Sequence, residues 1–142
     1  MPAAETIRGL ELTLPCNPVV VPQMRRVLGD LLLAWGLSAD HELAYDVRLI
    51  ATELIANAVE HAGEIASDLT VSLSLGDGWL HFGVRDAHPF RPRALNGTLD
   101  EVSGRGLLIV RELAAEARGY TDVEPHPDGK TIRVSLPWPI HT

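Results

Sequence analysis

The chain has 142 residues, is 46% hydrophobic and 22% charged, and carries a formal net charge of -7. That length suits one domain, residues 1–142, around a single core. The acidic balance excludes the basic footprint that nucleic acid or an anionic membrane would require. Cys16 is the only cysteine, which excludes a disulfide framework and a thiolate zinc cluster.

The start, MPAAETIRGLEL, puts Glu5 and Arg8 where a signal peptide needs its apolar run. The apolar stretch at residues 31–37 is far short of the ~20 residues that span a bilayer. A soluble, cytoplasmic protein is expected. Residues 7–14 read as a short strand closed by Pro15. Pro22 then sits where an early helical turn tolerates it, and Met24, Val27, Leu28, Leu31, Leu32 and Trp35 recur at helical spacing until Gly36. Met24 and Trp35 suit either a core or an interface. Ser38 is the expected N-cap of a second helix, with Asp40 and Glu42 in its first turn and Leu43, Val47, Ile50, Leu54 and Ala58 as its apolar stripe.

After Gly63 the period changes from helical to alternating. Leu69, Val71, Leu73 and Leu75 alternate with Thr70, Ser72 and Ser74, as in a strand with one buried face. Asp77-Gly78 is a two-residue hairpin turn, and Leu80, Phe82 and Val84 make the return strand, with Asp86 at its end. Residues 87–103 hold Pro89, Pro92, Asn96 and Gly97 without a sustained period and read as a loop. Gly104 opens a third helix with Leu107, Leu108, Val110, Leu113 and Ala114 as its buried set. A strand near 118–123, a turn at Asp128-Gly129 and a strand over 131–136 close the chain. The expected fold is α+β: a two-layer sandwich, a mixed but mostly antiparallel sheet with about three helices on one face.

Four segments carry chemistry. In ATELIANAVEHAG, Glu53, Asn57 and His61 stand at four-residue intervals and form a ridge at the border between the apolar stripe and the solvent side. An Asn carboxamide is a neutral oxygen ligand for Mg²⁺, and a carboxylate one turn earlier can accept a proton from an attacking hydroxyl. The same spacing also fits isolated Glu, Asn and His side chains that simply meet solvent on a helix edge. SGRGLLIV places Gly104, Arg105 and Gly106 before an apolar helix, as a phosphate-binding helix start or a plain turn. In VRDAHP, Asp86 either accepts from an amino group or caps the loop. GKTIRVSLP brings Lys130 and Thr131 to a strand start, where a hairpin turn is the simpler reading.

Together, in this order, the four segments resemble the GHKL ATP-binding fold (Bergerat type), and within it the small stand-alone branch of anti-sigma-factor serine kinases and related regulators. The resemblance implies ATP and Mg²⁺ as cofactors, with Asn57 as the Mg²⁺ ligand and Glu53 as the general base. It implies that Asp86 reads the adenine amino group with support from Thr131. Gly104, Arg105, Gly106 and Leu107 would line the phosphates, His61 would contact nucleotide, and residues 87–103 would form an ATP lid. Protein serine/threonine kinase activity and transcription regulation follow from the same likeness. The implied partners are an anti-sigma-factor antagonist, a sigma factor, or both, and a homodimer through the early strand and first helix. The alternative is a module that holds a partner without moving phosphate. Many relatives continue the aspartate box with glycines. Here it reads Asp86-Ala87-His88-Pro89, so a stiffer lid is expected. No phospho-accepting histidine segment precedes the domain, so a conventional sensor histidine kinase is not expected.

Overall fold

The computed structural model describes residues 8–62, 68–86 and 105–139; the side chains of His61, Ala62 and Arg105 fall outside that description. Five strands and three helices follow one another as β1 (Arg8–Pro15), α1 (Val20–Ala34), α2 (Glu42–Ala62), β2 (Asp68–Gly76), β3 (Trp79–Asp86), α3 (Arg105–Glu116), β4 (Tyr120–His126) and β5 (Gly129–Pro137). The strands form one sheet in the order β1-β2-β3-β5-β4. Every ladder is antiparallel, so the mixed component expected from sequence is absent from the described sheet. Tight connections explain this: hairpins join β2 to β3 and β4 to β5, and only antiparallel neighbours accept two-residue turns.

The alternation read from the sequence fixes which face is covered. Leu69, Val71, Leu73 and Leu75 of β2 are buried, as are Leu80, Phe82 and Val84 of β3 and Ile132, Val134 and Leu136 of β5. They meet α2 and α3, while α1 packs mainly on α2. Each fully buried Leu, Ile or Phe contributes about 1.5–3 kcal/mol of transfer free energy. Met24 lies in this core and Trp35 packs against it. Trp138 is buried too, its backbone N–H donating to the Gly78 carbonyl at 2.9 Å, which ties the end of β5 to the β2–β3 turn. Leu108, expected in the buried set of α3, is exposed, and so is Val27 of the apolar run in α1.

Local chemistry sets the element ends. Asp77 and Gly78 both have positive φ, 55° and 79°, as a primed hairpin turn requires. Ser38 does not cap α2, which begins four residues later. Its hydroxyl bonds the Asp40 carboxylate instead, and the Leu43 N–H donates to His41 Nδ1 at 3.0 Å, so His41 serves as the cap. The strand expected from residue 118 starts at Tyr120, because Arg118 takes a left-handed φ of 64° that ends α3. The glycine sits one position later, at Gly119, where a Cβ would meet the Ser135 carbonyl. The last hairpin turns at Pro127-Asp128, one residue earlier than expected, since His126 already pairs with Gly129.

Candidate functional site

The ridge on α2 lies where its periodicity put it. Leu54 and Ala58 are buried, Glu60 is exposed, and Glu53 and Asn57 are half-buried between them. The start of α3 comes directly against this ridge. A Cβ built on Gly106 would collide with Glu53 Oε2 and lie 3.2 Å from Glu53 Cδ. The glycine therefore lets a helix N-terminus reach a carboxylate, and the free N–H groups and dipole of that terminus favour negative charge there. Asn57 follows Glu53 by one turn, ~6 Å along the helix axis.

The connection from Ala62 to Asp68 is short, so the end of α2 and the start of β2 lie at the same end of the molecule. Leu69 pairs there with Asp86, and Asp86 pairs with Lys130. Asp86 is 5% exposed and Lys130 7%. Lys130 Nζ donates to Asp86 Oδ2 at 2.6 Å. A Cβ on Gly129 would run into the Asp86 carbonyl oxygen, so β5 also approaches Asp86 through bare backbone.

This arrangement corrects one expectation. Thr131 does not face Asp86: it lies one position on from Lys130, so its side chain leaves the opposite face of the sheet. Its hydroxyl shares a 2.7 Å hydrogen bond with His126 Nε2. The side chain that supports Asp86 is Lys130, which in sequence reads as part of a turn. The signal available was parity, because the residue opposite Asp86 on β5 must share its face. Leu107 is buried in the core, as its place in the apolar set of α3 predicts, so only its backbone is left for a ligand. Gly104 and the 87–103 loop lie outside the described residues, as do the side chains of Arg105 and His61.

Carboxylates also gather at the other end of α2. Glu42, Asp46 and Glu116 border a cleft of about 170 Å³ with His41 and Pro137. Partial burial and then the neighbouring Glu42 and Glu116 push the Asp46 carboxyl above its ordinary value. No group of three or more His, Cys, Asp or Glu side chains among the described residues is arranged to hold a metal ion. No described helix is long and apolar enough to cross a membrane.

The fold is shared with a histidine kinase domain of known structure. The histidine kinase domain of the Erythrobacter litoralis EL346 blue-light activated histidine kinase superposes with a TM-score of 0.57 at 20% identity, over 87% of this chain and 61% of that one. A second structure of that histidine kinase gives a TM-score of 0.60 at 19% identity, over 84% of this chain and 41% of the other. The chain thus spans less than two thirds of either solved structure. The profile of the histidine kinase-like ATPase domain family matches residues 14–136, and the chain belongs to that family. Comparison with curated proteins returned no match. Family membership supports ATP binding.

The residues described fit a magnesium nucleotide: the start of α3 meets the ridge through bare backbone at Gly106, and a carboxamide and a carboxylate stand there at the solvent border.

Proposed function

We propose that this chain is an ATP-binding regulator of the anti-sigma-factor type, a protein serine kinase that phosphorylates a small antagonist protein. The observation that carries the reading is the meeting of the Glu53 carboxylate with the start of α3 at Gly106, with Asn57 one turn away. Asn57 would hold Mg²⁺ through its carboxamide oxygen. Backbone N–H groups at the start of α3 would bind phosphate oxygens. Glu53 would orient the serine hydroxyl and take its proton as the oxygen attacks the γ-phosphorus and the bond to the β,γ-bridging oxygen breaks, releasing ADP. Magnesium-ATP, when bound, supplies the phosphoryl group and the charge neutralisation that the acidic chain lacks. Asp86 would accept from the adenine amino group.

A second reading, a partner-binding module without phosphoryl transfer, draws support from Asp86. Its carboxylate already has a buried cation, a feature that transfer chemistry does not need. Incubation with γ-labelled ATP, Mg²⁺ and candidate antagonist proteins decides between the two. The kinase reading expects label on the partner that is lost in Glu53→Ala and Asn57→Ala, while Glu53→Ala still binds ATP. Binding without transfer across such partners would leave the module.

A further inference from the structure

On the helix-facing side of β3 the residues run Leu80, Phe82, Val84 and then Asp86; on β5 they run Leu136, Val134, Ile132 and then Lys130. Two apolar rows end, in register, on a carboxylate and an ammonium. Both are more than nine-tenths buried, and they are bonded at 2.6 Å. Such a pair is a poor device for stability. Desolvating two charges offsets most of their attraction, and apolar residues in their place hold a fold as well or better. The pair also stands at the end of the sheet where the α2 ridge ends, and Gly129 has given up its side chain to bring β5 against Asp86. A carboxylate has about four lone-pair sites and an ammonium three N–H donors, so each can serve a ligand while still bonded to the other.

We propose that Lys130 and Asp86 read a purine base as a unit. Asp86 accepts from the exocyclic amino group, and Lys130 Nζ donates to the ring nitrogen next to it. An acceptor and a donor 2.6 Å apart match the adjacent amino group and ring nitrogen of a 6-aminopurine. The inference rests on the nucleotide-binding reading above and adds Lys130 to it as a specificity-determining residue. A base lacking the ring nitrogen leaves a buried ammonium short of an acceptor. Sites built around buried polar groups reject such analogues strongly.

The test is equilibrium binding of ATP, 1-deaza-ATP and 7-deaza-ATP, with Mg²⁺ at a fixed concentration, to the wild-type chain and to Lys130→Met. The wild type should bind one of the two deaza analogues about 10-fold more weakly than ATP, which also identifies the nitrogen read. Lys130→Met should bind ATP more weakly by a similar factor and no longer distinguish that analogue. A purely structural lysine would weaken all three nucleotides alike. The inference is overturned if the wild type binds both analogues as tightly as ATP, or if Lys130→Met binds ATP as well as the wild type does. The wild-type series decides by itself where the variant fails to fold. Failure of the wild type to bind ATP would overturn the nucleotide reading and this inference together, whereas ATP binding without analogue discrimination overturns this inference alone.

Discussion

The two carboxylates of the site sit in opposite kinds of surroundings. Glu53 projects from a helix into a half-exposed position, and its neighbour is a helix start that offers N–H groups and a partial positive charge. Asp86 projects from a strand into the core, and its neighbour is a full positive charge on the adjoining strand. A helix start at the border offers hydrogen bonds to a carboxylate and leaves it within reach of solvent. A buried ion pair holds a carboxylate in one place. Under the proposed function the first setting would suit chemistry and the second recognition.

The sharpest break of that contrast removes the buried anion. Asp86→Leu leaves Lys130 charged and buried without its partner, which costs about 3–5 kcal/mol. The double variant Asp86→Leu with Lys130→Met should recover most of that loss, because two apolar side chains continue the rows of β3 and β5. Urea denaturation of the three proteins measures it. A double variant no more stable than the single one would show that the pair does not act as a unit. The corresponding change at the other carboxylate, Glu53→Ala, should alter stability by less than about 1 kcal/mol, since a half-exposed charge is solvated with or without its neighbour.

The two glycines extend the comparison. Gly129→Ala puts a Cβ against the backbone carbonyl of Asp86, which cannot swing aside, and should cost about 2–3 kcal/mol by thermal or urea unfolding. Gly106→Ala meets only the end of the Glu53 side chain, which can rotate away. Helix propensity returns up to ~1 kcal/mol there, so the net change in stability should be small. Its effect falls on function instead. If Glu53 is the general base proposed above, displacing it from the start of α3 should lower phosphoryl transfer by about 10²-fold, the usual contribution of such a group. Adding Glu53→Ala to Gly106→Ala should cause little further loss. A Gly106→Ala protein that is fully active would separate Glu53 from the chemistry.

How much of the site is legible in the sequence differs between the two regions for a physical reason. The ridge can be read because helical spacing alone puts Glu53, Asn57 and His61 on one side, and burial of Leu54 and Ala58 fixes that side at the border. Its approach to α3 can be expected from two glycines before an apolar run, though not which carboxylate Gly106 touches. Asp86 can be placed at a strand end, but its partner depends on register across a hairpin. Sequence puts that turn one residue late, at Asp128-Gly129 rather than Pro127-Asp128, and the family resemblance names Thr131 rather than Lys130 as the neighbour of Asp86. A shift of one residue exchanges the two faces of a strand. The start of α2 is hard to place because several residues can cap a helix. The choice of His41 over Ser38 follows from the Ser38 hydroxyl being engaged by Asp40.

The smallest effect belongs to the acidic cleft at the far end of α2, where a third kind of carboxylate is found: partly buried, with like charges for company. The Asp46 carboxyl is raised by partial burial first and then by Glu42 and Glu116. A raised carboxyl means that the folded chain holds the proton more tightly than the unfolded one. Asp46 therefore opposes folding fully once pH is above its folded-state value, and the opposition fades as pH falls toward 3.8. Asp46→Asn should stabilise the protein at neutral pH by about 0.5 kcal/mol, discounted for solvent screening, and by nothing measurable below about pH 4. Unfolding followed in urea at both pH values tests this. An Asp46→Asn protein that gains equally at the two pH values would place the benefit in packing rather than in charge, and would leave the cleft's carboxylates no more strained than those of the open surface.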